Sequence, residues 1–236
     1  MWLRRLALGI ALLAAVLLLA SGPGLRLGLW PLRTAFELMR FAAYLGIAAT
    51  ALAAVALCIP RVRRGGVAAL AAAFLVGAAS AAGPLEFQRR ARSVPPIHDI
   101  STDTASPPEF VAVLPLRAGA RNPPAYAGPE TAKLQRAAYP DLAPILLAEP
   151  PERAFARALA AAEAMGWEIV AREPAAGRIE AVATTFWFGF KDDVVVRVAP
   201  AGRGSRIDVR SKSRVGRSDA GTNARRIRGW RAALLD

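Results

Sequence analysis

The chain has 236 residues, 54% of them hydrophobic, and 31 Lys and Arg against 18 Asp and Glu give it a formal net charge of +13. Its single cysteine and single histidine exclude an intramolecular disulfide, a Cys-based zinc cluster and a His-rich metal site. The excess charge resembles a nucleic-acid footprint, but its placement argues otherwise: residues 1–95 hold eleven arginines against Glu37 and Glu86, while residues 96–236 hold 20 basic against 16 acidic side chains. Arginines beside apolar segments serve as topology signals and headgroup contacts, so no nucleic-acid partner is expected.

Leu6 to Ala20, Phe41 to Ile59 and Val67 to Gly83 contain no charged side chain, and a helix needs roughly 17 to 25 mostly apolar residues to cross a hydrocarbon core. Three transmembrane helices are predicted at about residues 4–22, 40–60 and 66–84. The first segment has the basic start and apolar run of a cleavable signal, yet no A-x-A site follows closely and two further spans favour an uncleaved anchor. Arg4 and Arg5 before the first span, with Arg61, Arg63 and Arg64 between the second and third, place both regions in the cytoplasm under the positive-inside rule. The C-terminal part then lies outside the cytoplasm. Arg26, Arg33, Arg40, Arg89, Arg90 and Arg92 give the other side a similar count and pull against that orientation.

Beyond Gly83-Pro84 a basic stalk leads to Pro95 and Pro96 and then to a Pro-rich stretch reaching about Leu147. Proline removes an amide donor and restricts its predecessor, so an extended, ordered wrap is predicted there, with Phe110, Val111, Val113 and Leu114 adding a short strand or pinning the wrap to the core. Pro151 suits a first helical position, and Phe155, Ala158, Leu159, Ala162 and Met165 share one face up to Gly166, which predicts an amphipathic helix. Strands are predicted at Trp167 to Ala171, Arg178 to Phe186, Asp193 to Val198 and Ser205 to Ser211, separated by turn segments. In the last of these, Ile207 and Val209 share one face and Arg206, Asp208 and Arg210 the other. A final helix, capped at Ser218 or Asp219, carries Ala220, Ala224, Ile227, Trp230 and Leu234 on one stripe. The predicted class is α+β: three N-terminal transmembrane helices within residues 1–92, then a domain over 93–236 with about four antiparallel strands, two helices on one face and the Pro-rich wrap.

Several phrases in order carry a family resemblance: IHDIST at Ile97 to Thr102, Gly166-Trp167, RIEA at Arg178 to Ala181, TTFWFGFKDDVVVRV from Thr184 to Val198, and SRIDVRSKSRVGRSDAGTNARRI from Ser205 to Ile227. Over about residues 95–235 the chain resembles the bacterial domain-of-unknown-function 1499 family. The resemblance implies a fold unit that commonly follows membrane spans, and no catalytic residue is carried over from it.

Two constellations are candidates for function. The basic run Arg210, Lys212, Arg214 and Arg217, with Ser218 at the entry to the last helix, suits phosphate or carboxylate, because guanidinium groups bind such anions bidentately and amides at a helix start point at them. Residues 210–231 hold eight basic residues against Asp219 alone. The plainer reading is a set of solvated charges, with Asp219 capping the amides itself. The second constellation is Asp192, Asp193 and Asp208, with His98 and Asp99 brought in by the wrap, a set able to do acid/base work or hold a divalent cation. Its plainer reading is a polar turn at Lys191-Asp192-Asp193 and a cross-strand pair of Asp208 with an arginine. The aromatic run Phe186-Trp187-Phe188-Gly189-Phe190 reads as core packing or as an exposed membrane-dipping loop.

The combined expectation is an integral protein of the bacterial inner (plasma) membrane whose periplasmic or extracytoplasmic domain is a non-catalytic binding or assembly module. Its partner would be an anionic lipid, an envelope polymer or another envelope protein, and no cofactor is expected. The alternative is a carboxylate- or metal-dependent hydrolase using Asp192, Asp193 and Asp208.

Overall fold

The structure, a computed structural model, describes residues 2–236, and these form seven α-helices and six strands. They divide into two compact units. One runs up to Arg89 and takes in Trp187–Gly189; the other comprises Arg90–Phe186 and Phe190–Asp236.

The first unit is helical: α1 (Trp2–Arg26), α2 (Leu32–Cys58), the short α3 (Pro60–Arg63) and α4 (Val67–Ser93), whose last turn extends into the second unit. α1, α2 and α4 are each long and apolar enough to cross a membrane. Their seam is built from small residues, with Ala7 and Ala11 of α1, Ala49, Ala53 and Ala56 of α2, and Leu70 and Ala73 of α4 in one cluster. Where α2 meets α4, a Cβ added to Gly46 would come within 2.6 Å of the Gly77 carbonyl, so the backbones approach as close as glycine allows. Helices in lipid associate through this kind of close packing because lipid offers no hydrophobic drive between them. Larger side chains such as Leu12, Val16, Leu19, Tyr44 and Val55 point outward.

The second unit holds an antiparallel sheet of order β1-β6-β5-β4-β3, formed by β1 (Asp99–Ser101), β3 (Glu168–Glu173), β4 (Arg178–Thr184), β5 (Lys191–Ala201) and β6 (Gly204–Ser213). β2 (Ile145–Leu147) also pairs with β6. β1 lies against Arg210 to Lys212 and β2 against Ser205 to Ile207, so the two share the outer edge of β6. Helices α6 (Pro151–Ala164) and α7 (Thr222–Leu235) contribute Phe155, Ala158, Ala162, Ile227, Trp230 and Leu234 to a core with Ile179, Val194, Val196, Val198, Ile207 and Val209 of the sheet. The four predicted strands and both predicted helices are present within a few residues of their expected bounds.

Three differences have physical causes. The Pro-rich stretch is not extended throughout, because α5 (Pro129–Ala138) starts with Pro129 at its first helical position, where no amide bond is lost, and ends just before Pro140. β1 and β2 are three residues each, too short to show a period, and form because β6 presents a free edge. The last helix starts at Thr222 after Gly221 in the left-handed region, and Asp219 reaches forward to accept the amides of Gly221 and Asn223, both at 2.7 Å.

The other face of the sheet is where the wrap lies. Phe110 and Val113 pack on Val182 and Val195, pinning the wrap without a strand at 110–114.

Candidate functional site

Period-two alternation sends Ile207, Val209 and Ser211 of β6 toward the helices and Arg206, Asp208, Arg210 and Lys212 to the opposite face. On neighbouring strands Asp193, Arg197 and Glu180 point the same way as the second set. Asp99, Glu180, Asp193, Asp208, Arg210 and Lys212 are all buried there under the wrap.

Asp99 sits opposite Lys212 in the β1–β6 register. Its carboxylate accepts Arg210 Nε at 2.8 Å, Arg210 Nη2 at 2.9 Å and Lys212 Nζ at 2.9 Å. Further donors go to wrap carbonyls: Arg210 to Pro108 at 3.1 Å and Pro124 at 2.9 Å, Lys212 to Ala125 at 2.5 Å. The Arg210 guanidinium also lies 4.7 Å from the centroid of the Phe110 ring. Burial lowers the pKa of Lys212 against the opposing pull of Asp99. Tyr126 is pushed up to about 12, first by burial and then by Asp99.

A second cluster centres on Asp193, which accepts Arg117 Nη1 and is held by Arg214 through Nη2 at 2.6 Å. Asn122 links this cluster to the following loop, donating to the carbonyls of Ser213 at 2.9 Å and Gly216 at 3.0 Å. In a third cluster Asp208 accepts Arg197 Nη2 at 2.8 Å and Arg206 Nε at 3.0 Å, and both arginines also reach Asp103. Glu180, fully buried in β4, accepts the amides of Val111 at 3.0 Å, Ala112 at 2.9 Å and Val113 at 3.0 Å. It thereby anchors the wrap by its backbone.

The acidic constellation does not converge. Asp192 faces the helices, where it accepts Arg226 Nη2 of α7 at 2.5 Å, whereas Asp193 and Asp208 face the wrap. Asp208 is in register with Arg197, four residues along β5 from Asp193, which separates the two by about 13 Å at the rise of a β-strand. Asp99 meets Arg210 and Lys212 instead of the acids, and His98 lies with Nδ1 3.3 Å from the Arg217 carbonyl. Among the described residues no group of three His, Cys, Asp or Glu side chains is placed to hold a metal ion.

The basic constellation is divided by the same burial. Arg210 and Lys212 are spent on Asp99, and Arg214, whose side chain is 13% exposed, is spent on Asp193 rather than standing in a solvent-facing loop. The physical reason is that the face of β6 that carries them is covered by the wrap, where an unpaired charge would be costly. Ser218 accepts the Ala220 amide at 3.2 Å, and the amides of Gly221 and Asn223 at the entry to α7 are occupied by Asp219, whose pKa burial raises despite those two bonds. Only Arg217 of this run is exposed. Arg121, on the loop tied to Gly216 by Asn122, is also exposed, and among the described residues neither arginine takes part in an ion pair. In the aromatic run, Phe186 is 85% exposed, and Trp187–Gly189 group with the helical unit.

Arg117, Glu180, Asp103, Arg197 and Asn122 escape a sequence reading. Glu180 leaves one trace, a carboxylate at a mid-strand position between Ile179 and Ala181. Nothing local announces that its partners are amides about 70 residues earlier.

These features define a class: an α+β domain with ion pairs buried between its sheet and an N-terminal wrap, preceded by three membrane-length helices. Residues 99–234 match the family model described as a protein of unknown function, DUF1499, and the chain belongs to that family. No curated protein matches the chain.

Proposed function

We propose that this membrane-anchored protein is a binding or assembly module whose domain lies outside the cytoplasm of a bacterium and meets an anionic component of the envelope. The observation that carries the reading is the division of charge in the domain. The carboxylates of Asp99, Asp192 and Asp193 are consumed by Arg210, Lys212, Arg226, Arg117 and Arg214, whereas Arg121 and Arg217 stand exposed on two loops joined by Asn122. Exposed guanidinium groups without carboxylate partners are suited to phosphate or carboxylate on another molecule.

The full chain in neutral detergent is expected to bind immobilised polyphosphate more tightly than neutral dextran. The binding should weaken as salt rises, because exposed charges are screened over about 8 to 10 Å at physiological ionic strength. Arg121→Glu with Arg217→Glu should remove most of it. Arg153→Glu with Arg203→Glu, on exposed positions away from that loop pair and with Arg203 in the β5–β6 turn at the other end of the strands, should matter much less. Equal losses from the two pairs would reduce the attraction to net charge, and binding indifferent to salt would remove the reading.

The extracytoplasmic placement rests on Arg61, Arg63 and Arg64 in the short connection between α2 and α4. Alkaline phosphatase fused after Asp236 is expected to be active, since that reporter works only outside the cytoplasm. A stable but inactive fusion, with an active cytoplasmic reporter at the same position, would reverse the orientation.

A further inference from the structure

We propose that the helical unit carries a separate site for the phosphate-bearing headgroup of an anionic membrane lipid, where the first turn of α1 meets the Gly65-Gly66 turn ahead of α4. A cavity of about 220 Å³ opens there, lined by Arg4, Arg5, Leu8, Gly65, Gly66 and Ala69. Its volume is below the roughly 300 to 1,000 Å³ of pockets that enclose a whole small molecule, so it suits a headgroup-sized anion. The lining divides by chemistry: two guanidinium groups suit a phosphate, and Leu8 and Ala69 suit the apolar start of a lipid's glycerol and chains.

The placement of Arg4 depends on Gly66. A Cβ at that position would collide with the Arg4 guanidinium, so the missing side chain lets Arg4 lie on the turn, where its Nη1 donates to the Arg64 carbonyl at 3.3 Å. Arg61, Arg63 and Arg64 are exposed beside this turn and raise the local positive charge further. Among the described residues of the helical unit, no carboxylate of the chain lies beside this turn. Before residue 95 its carboxylates are Glu37 and Glu86, which pair with Arg33 near the start of α2 and Arg89 near the end of α4, at the other ends of those helices. Five arginines at the end of a membrane-length helix bundle, with a cavity between two of the helices and no carboxylate of their own, match the general form of an acidic-headgroup pocket.

The test uses the full chain in neutral detergent and native mass spectrometry, with phosphatidylglycerol or phosphatidylcholine of identical acyl chains as probes. Phosphatidylglycerol is expected to be retained about tenfold more strongly, and Arg4→Gln with Arg5→Gln to remove that preference. Because those arginines also direct insertion, Gly66→Ala is the second variant; it keeps every charge, displaces Arg4 and should lower retention as well. Arg121→Glu with Arg217→Glu, on the other unit, should leave the preference in place. Millimolar inorganic phosphate should not displace the lipid. Equal retention of the two lipids, equal losses from the cavity and control pairs, an unaltered preference in Gly66→Ala, or displacement by inorganic phosphate would each overturn the proposal.

Discussion

Asp99→Ala is expected to destabilise the C-terminal domain by about 3 to 5 kcal/mol, the range for removing one partner of a buried ion pair. Asp99 is fully buried and accepts three charged donors from Arg210 and Lys212, which are themselves 2% and 1% exposed. Without the carboxylate, two cations remain in a low-dielectric layer between β6 and the wrap, held only by the carbonyls of Pro108, Pro124 and Ala125. They must then shed water unaided or open the wrap to reach it. Asp99→Asn keeps the shape and an acceptor but not the charge, and its loss should be intermediate. Replacing all three, Asp99→Leu with Arg210→Met and Lys212→Met, should recover much of the stability, because apolar residues of similar volume avoid the desolvation cost. Urea unfolding of the domain expressed from about Val94 measures each variant. A loss below about 1 kcal/mol for Asp99→Ala would mean that water reaches these cations readily and that the wrap is not closed over them.

Trp230→Ala should cost a similar amount, about 3 to 5 kcal/mol, for a different reason. The indole is fully buried between α6 and the sheet, its Nε1 donates to the Ala158 carbonyl at 3.2 Å, and its ring stacks on Trp167 with centroids 6.4 Å apart. Truncation leaves a cavity that α6, α7 and the sheet are too well tied to fill. Trp230→Phe preserves most of the packing and loses the hydrogen bond, so it should cost clearly less. The same urea series serves, and a midpoint that barely moves in Trp230→Ala would show that α7 is not packed on the sheet as described.

The two predictions separate two kinds of order in the domain. The Trp230 core is the kind a linear pattern announces, since Ala224, Ile227, Trp230 and Leu234 recur at helical spacing and all four are buried. The Asp99 layer is the other kind. Alternation along β6 shows that Arg206, Asp208, Arg210 and Lys212 share a face, and a face so charged reads as solvated. That expectation fails because the wrap carries the matching groups, Asp99, Asp103 and Arg117, together with carbonyls from its proline-rich backbone. The prolines limit the number of amides that need partners, and Glu180 takes three of those that remain.

The sequence by itself determined the features that depend on local pattern. Charge-free runs of spanning length mark the three apolar helices, Pro151 and Gly166 bracket α6, and turn segments delimit the four long strands. It also determined which side chains share a face of β5 and β6, because the pleat alternates regardless of what lies above it. Only the tertiary structure decided what covers those faces. The Arg210 to Asp99 contact joins residues 111 apart, and Arg117 to Asp193 joins residues 76 apart. No local spacing encodes such pairs, and burial is what turns those charges from a solvated surface into a fixed internal layer.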